Sequence, residues 1–189
     1  MSDGEKAIGR PRSPDAGPAL MAAARRLVGE HGYEAVTIGM IAADAGVSRQ
    51  TLYRRWPSKA ELILDAFLER AAEGEDFADG PLADVLEAFL INAFKGLRED
   101  APAIRNLIAS AQSDPAFLKS FRERFVEPRA AIAAGIIQQA IDKGEIDGTI
   151  DVDMTTRVLH GAFWYEMLLG RELDEAFARR LVILLARTW

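Results

Sequence analysis

Cysteine is absent from the 189 residues. That excludes disulfide frameworks, thiolate metal sites and cysteine nucleophiles. Histidine is nearly as scarce, with only His31 and His160, far apart in the chain. One imidazole with no second ligand three or four residues away does not build a metal site, so no metal is expected. No run reaches the roughly 18 apolar residues of a membrane span. The opening MSDGEKAIGRPRSPDAG has no apolar core of a secretory signal. A cytoplasmic protein without a membrane partner is the expectation. G-x-S-x-G, P-loop and G-x-G-x-x-G motifs are all missing, so neither an enzyme nor a bound cofactor is expected. Strand-like alternation, repeats and low-complexity tracts are missing as well.

What remains is ordinary globular material, 49% hydrophobic and 28% charged, enough to bury a core. The net charge of −6 is unevenly spread. Residues 1–60 hold nine Lys/Arg against six Asp/Glu, and residues 61–189 hold fourteen against twenty-three. Screening confines a charge's field to about 8–10 Å, so a basic end on an acidic protein can still meet a polyanion.

From Pro14 onward the apolar spacing is helical. Leu20, Ala24, Leu27 and Val28 share one stripe, and His31-Gly32 ends that helix. Thr37 can cap a helix from Ile38 to Ala45. Gly46 makes a turn, and Ser48 can cap a short helix from Arg49 to about Arg55. Pro57 forbids its continuation. Ser58-Lys59-Ala60-Glu61 forms an S-x-x-E capping box, which opens a helix with Leu62, Ile63, Ala66 and Phe67 inward. Gly80-Pro81 begins another helix. Pro102 and Pro115 sit where proline suits a first turn, so helices over 81–99 and 103–113 are predicted to be separate. Pro128 marks a boundary or kink before a long helix ending at Lys143-Gly144. Two more helices cover about 152–169 and 174–187. The predicted fold is all-α, with about nine or ten helices. It divides into a disordered arm at 1–13, a three-helix helix-turn-helix domain at 14–58 and a helical regulatory and dimerisation domain at 59–189.

Residues 37–59, TIGMIAADAGVSRQTLYRRWPSK, carry most of the information. Two short helices joined at Gly46, with small Ala42 four residues before the turn, form a helix-turn-helix pattern. The second helix spends Leu52 and Trp56 on the core. It leaves Ser48, Arg49, Gln50, Thr51, Tyr53, Arg54 and Arg55 outward. Gln pairs with adenine edges, and Arg with guanine or phosphate. Lys59 stands at a helix start that itself favours phosphate.

The stretch IAADAGVSRQTLYRRWPSKAEL resembles the DNA-binding signature of the TetR family of transcriptional regulators. The turn, the Thr-Leu-Tyr run, the aromatic before Pro57 and the Ser-Lys after it occur together. The likeness is strong over about 14–75; beyond that it extends only to the family's all-helical regulatory half. The resemblance implies a repressor that binds a palindromic operator as a homodimer and is released by a small-molecule effector. By position, Thr37, Ser48, Tyr53 and Lys59 would hold phosphates, while Arg49, Gln50 and Arg54 would read bases beside Thr51. Arg55 has no assigned role. Arg10 and Arg12 lie in an arm that could enter a minor groove or simply solubilise the chain.

Two further sets of residues are candidates. Small residues on 128–143, with Ala130, Ala134, Ile137 and Ile141, suit a close helix contact between protomers. Val158 and Ala162 on 153–169 would join them in a four-helix bundle; the competing reading is ordinary intramolecular core. Phe89, Phe94, Phe117, Phe121, Trp164, Tyr165 and Met167 could line a cavity for an apolar or aromatic ligand, with Arg105, His160 or Glu166 as polar anchors. A constitutive DNA-binding helical protein without small-molecule input stands as the alternative, since the first sixty residues do not separate the two.

Overall fold

The computed structural model describes residues 16–71 and 79–189. The arm with Arg10 and Arg12 lies outside them. Among the described residues the chain is all-helical, without strands. The elements are α1 (Ala16–His31), α2 (Ile38–Asp44), α3 (Arg49–Arg55), α4 (Lys59–Ala71), α5 (Leu82–Ser113), α6 (Pro115–Phe121), a π-helical turn (Arg122–Val126), α7 (Glu127–Asp142), α8 (Val152–Leu168) and α9 (Glu175–Ala186). No described helix is long and apolar enough to cross a membrane. No group of three or more described His, Asp or Glu residues could hold a metal ion.

Side-chain oxygens start six of these helices, Ser58 capping α4. Thr37, Ser48, Asp114, Asp151 and Asp174 each accept from a backbone N–H in the first turn, satisfying donors that the helix itself leaves free. At the end of α2, Gly46 has φ of 64°. The Gly46 N–H donates to the Ala43 carbonyl and the Val47 N–H to the Ala42 carbonyl. This Schellman closure needs a left-handed residue, which a side chain would strain. It turns the chain sharply enough to lay α3 across α2.

α1 packs on α2 and α4, and α2 on α3. Leu20, Ala24, Ile41, Leu52, Trp56 and Leu62 close this small core, each at most 2% exposed. In the second half α5 packs on α6, α7 and α9, and α7 on α8. The start of α5 has no capping side chain of its own. Instead Glu145, just beyond α7, accepts from the Leu82 N–H at 2.6 Å.

One proline expectation needs correction. The separate helices over 81–99 and 103–113 are one 32-residue helix, with Pro102 inside it. Proline in a helix interior costs about 3 kcal/mol. Here Ala103, Ile104, Leu107 and Ala111 lie buried beyond it, and four buried apolar side chains outweigh that cost. Pro128 marks a boundary as expected: it is the second residue of α7, two residues past the end of the π-helical turn. There the Glu127 N–H reaches back five residues to the Arg122 carbonyl. The wider turn makes room for a ring that would otherwise meet the carbonyl four residues earlier. The Arg129 guanidinium then donates to the Phe125 carbonyl at 3.0 Å and lies over the Phe125 ring.

Candidate nucleic-acid interface

α3 presents its outer face as the sequence pattern requires. Leu52 is fully buried and Trp56 nearly so, whereas Arg49, Gln50, Tyr53 and Arg54 are exposed. Tyr53 keeps 53% of its surface open, more than a packing tyrosine retains. No acidic residue occurs from Ala45 to Ala60. The nearest acid, Asp44, is paired with Arg26. The result is a helix with basic and amide side chains facing water and no carboxylate to compete with a phosphate.

Several residues assigned to DNA also have tasks within the fold. The Thr37 hydroxyl accepts from the Met40 N–H at 3.2 Å. Ser48 Oγ accepts from the Thr51 N–H and lies 2.9 Å from Thr51 Oγ1. The guanidinium of Arg49 packs over Gly39 of α2, where a Cβ would meet it. Arg55 takes a structural place: its guanidinium lies against Gly17 of α1 and over the Trp56 ring, 4.9 Å from the centroid.

Lys59 is the least expected. Its ammonium donates to the carbonyls of Tyr33 at 2.8 Å and Val36 at 3.1 Å, and sits 4.0 Å above the Tyr33 ring centroid. Burial pushes its pKa down from the ordinary lysine value, and the charge of Glu34 opposes that. Two of its three donors therefore clamp the α1–α2 connection, and one remains for a phosphate. Lys59→Met should cost about 2–3 kcal/mol of stability, because two carbonyls lose a charged donor. Thermal unfolding should show a drop of roughly 5–10 °C. An unchanged melting temperature would mean the clamp is not a structural one.

The reading head is tied to the second half by polar contacts that sequence reasoning missed. Trp56 Nε1 donates to Asp65 Oδ2 on α4 at 2.7 Å. The other Asp65 oxygen pairs with Arg124 of the π-helical turn. Arg124 also reaches Glu61 at 3.1 Å, and Ser120 donates to the same Glu61 oxygen. So Glu61, expected to close its capping box, instead crosses to α6, while Ser58 Oγ alone caps α4. Tyr33 forms a second tie. The proton of Ser110 goes to the Asn106 carbonyl, so Tyr33 Oη donates to Ser110 Oγ on α5 at 3.2 Å. Apart from Trp56 and Asp65, nine residues apart, these pairs lie 59 or more residues apart, beyond the reach of any spacing signal.

The expected ligand-lining residues divide into two aromatic groups. Phe94 packs with Phe163 and Phe177, and the His160 ring lies between Phe89 and Phe163. Phe121 stacks on Phe125 at 5.1 Å and meets Phe117 and Trp164. Met167 is buried. Arg105 donates to the Met167 carbonyl and Glu166 pairs with Arg171. Tyr165 does not join either group. It is 57% exposed on the outer side of α8.

Among the residues expected at the interface, Ile137 needs correction. Ile137 is fully buried within the protomer, so it has no surface left for a partner. Ala130, Ala134 and Ile141 are half-buried. Their helix, α7, turns its apolar side to α5 and α8. The uncovered apolar surface lies on α8 and α9: Met154, Val158, Tyr165, Leu168, Ile183 and Leu184 are all exposed. An open groove of about 470 Å³ runs between these helices, lined by Ala162, Glu166, Phe177 and Leu184 among others. The sequence signal was the unbroken apolar run LVILLA, residues 181–186 of α9, which is wider than one buried face requires.

A capped helix-turn-helix with an acid-free outer helix, joined to an all-helical second half, defines a DNA-binding regulator. Residues 20–66 match the bacterial regulatory proteins of the tetR family, and residues 78–185 match the tetracyclin repressor-like C-terminal domain. The HTH-type transcriptional regulator YdeS of Bacillus subtilis (strain 168) is 33% identical over 93% of this chain and 90% of its own. The DNA-binding transcriptional repressor TetR of Mycobacteroides abscessus is 30% identical over 87% of this chain and 88% of its own. The crystal structure of the transcriptional regulator FadR from Bacillus subtilis, in complex with stearoyl-CoA, superposes with a TM-score of 0.73 at 20% identity. It covers 89% of this chain and 96% of that one. The chain belongs to the TetR family of transcriptional regulators.

Proposed function

We propose that the protein is a repressor that binds a palindromic operator as a homodimer and releases it when a small apolar or aromatic ligand binds the helical half. The observation that carries this reading is the outward face of α3. Arg49, Gln50 and Arg54 are free to meet base edges there, and Tyr53 and the remaining Lys59 donor can meet phosphates. The repressor role is supported by the relative in M. abscessus that bears that name. Such a role on bacterial DNA places the protein in the cytoplasm.

Two-fold operators need two reading heads. The exposed apolar face of α8 and α9 is the surface that gains most from covering, and a second copy of the same face would complete a four-helix contact. Burying exposed apolar surface is worth about 25 cal/mol per Å².

Release requires the ligand to favour a geometry that the operator does not. Inverting a 99:1 population takes about 5.5 kcal/mol of such preference. The structural neighbour FadR from Bacillus subtilis, solved in complex with stearoyl-CoA, supports regulation by a small molecule. Here the Phe121–Phe125 stack and Trp164 adjoin the π-helical turn. Arg124 on that turn holds Glu61 and Asp65 of α4, and Asp65 holds Trp56 at the end of α3. A ligand seated among the aromatic side chains of the helical half that shifts this stack would move α4 and, through Trp56, the recognition helix.

The test is selection of duplexes from a randomised library by the purified protein, followed by native mass spectrometry. The expected result is an inverted repeat, with half-sites about one helical turn apart and two chains per duplex. Absence of enrichment, or a complex with one chain, would contradict the reading.

A further inference from the structure

Two buried polar atoms on α8 have no hydrogen-bond partner among the described residues. They are Thr156 Oγ1 and His160 Nε2, one helical turn apart. Thr156 is only 5% exposed. Buried side-chain polar atoms are nearly always hydrogen-bonded in folded proteins, and an orphan needs an explanation. Here the chemistry of the orphan can be read. His160 Nδ1 lies 2.9 Å from the Thr156 backbone carbonyl. A carbonyl only accepts, so Nδ1 carries a proton and donates. Burial pushes the His160 pKa below the ordinary imidazole value, so the ring is neutral. In a neutral imidazole with Nδ1 protonated, Nε2 is an acceptor.

The surroundings are apolar. The His160 ring sits 5.2 Å from the Phe163 ring and 6.4 Å from the Phe89 ring, between α5 and α8. No described His, Lys or Arg donates to Nε2. What fits this pair is a group that donates to Nε2 and accepts from the Thr156 hydroxyl. A hydroxyl does both with a single oxygen. A carboxylate does not, because it has no proton to give and would lose its hydration among phenylalanines.

We infer that Thr156 and His160 form the polar anchor of the effector site, and that the effector is an apolar or aromatic molecule bearing a hydroxyl. The inference rests on the ligand-gated reading above and narrows it from any apolar compound to an alcohol or phenol. It also fixes the ligand's orientation, hydroxyl toward α8 and apolar body toward Phe89 and Phe163.

The experiment uses the full chain and three probes: 2-naphthol, 2-methoxynaphthalene and 2-naphthoate. The chain has two histidines, so a long-range ¹H–¹⁵N spectrum contains two imidazoles, and the buried one is followed. 2-Naphthol should shift the Nε2 resonance of His160 and leave Nδ1 protonated. The methoxy compound, which cannot donate, should bind about 10–100-fold more weakly, as should the naphthoate. If 2-naphthol leaves Nε2 unmoved at millimolar concentration, the site holds no more than a water and the inference fails. Equal binding of naphthol and its methyl ether overturns it as well. A parallel operator-binding assay separates this outcome from the parent reading. Naphthol that engages His160 without altering operator affinity supports the anchor and contradicts gating. Operator release by all three probes alike supports gating and contradicts the anchor.

Discussion

Replacing Arg49 and Arg54 together by alanine lowers operator affinity by about 10²–10⁴-fold per half-site, since each well-placed base contact is worth about 1–3 kcal/mol. The fold should survive. Both side chains are exposed, and substitutions at such positions change stability by about 0.5 kcal/mol or less. Arg49 covers Gly39 with the flexible end of its side chain, and water can take its place. Binding titrations across salt refine the result. If either arginine meets phosphate instead of a base, the slope of log affinity against log salt flattens by about one unit per contact per subunit. A double variant that binds the operator as tightly as the wild type would remove α3 from the interface.

The second large effect concerns assembly. Val158→Asp combined with Leu184→Asp places unpaired charges on the exposed face of α8 and α9. If that face is covered by a second copy, two buried carboxylates per protomer cost several kcal/mol. Sedimentation at micromolar concentration should then show a monomer, with helical content unchanged. Ile137→Asp should behave differently. Ile137 is fully buried inside the protomer, so the charge should unfold the chain instead of dissociating it. A dimer that survives the double substitution would place the interface elsewhere. A folded monomer from Ile137→Asp would restore α7 to it.

These contrasts reflect what a linear sequence can and cannot carry. The helix-turn-helix was legible because its causes are local. Thr37 and Ser48 cap within three residues, Gly46 closes α2 within five, and Leu52 with Trp56 marks the inner face of α3. The stripe Leu62, Ile63, Ala66 and Phe67 was likewise set by helical period, and all four are buried. Errors arose where a distant partner decides. Proline normally breaks a helix, but α5 continues through Pro102 because both of its halves bury apolar faces against other helices. Lys59 reads as a free cation until Tyr33 and Val36, more than twenty residues away, supply carbonyls. Glu61 reads as half of a capping box until Ser120 and Arg124 claim it. Ile137 reads equally well as interface or core, because hydrophobic spacing says only that a face is covered, not by which chain.

The central claim is that α3 reads bases through its exposed face, and Gln50 tests it most directly. Gln50 makes no contact that the helix-turn-helix requires; it is exposed near the start of α3, so Gln50→Ala should leave the fold unchanged. Wild type and variant should be taken through selection from the same randomised operator library. The expected result is a motif that loses preference at one base pair in each half-site, with a cost of about 1–3 kcal/mol for each contact removed. An identical motif from both proteins, at equal affinity, would contradict the account.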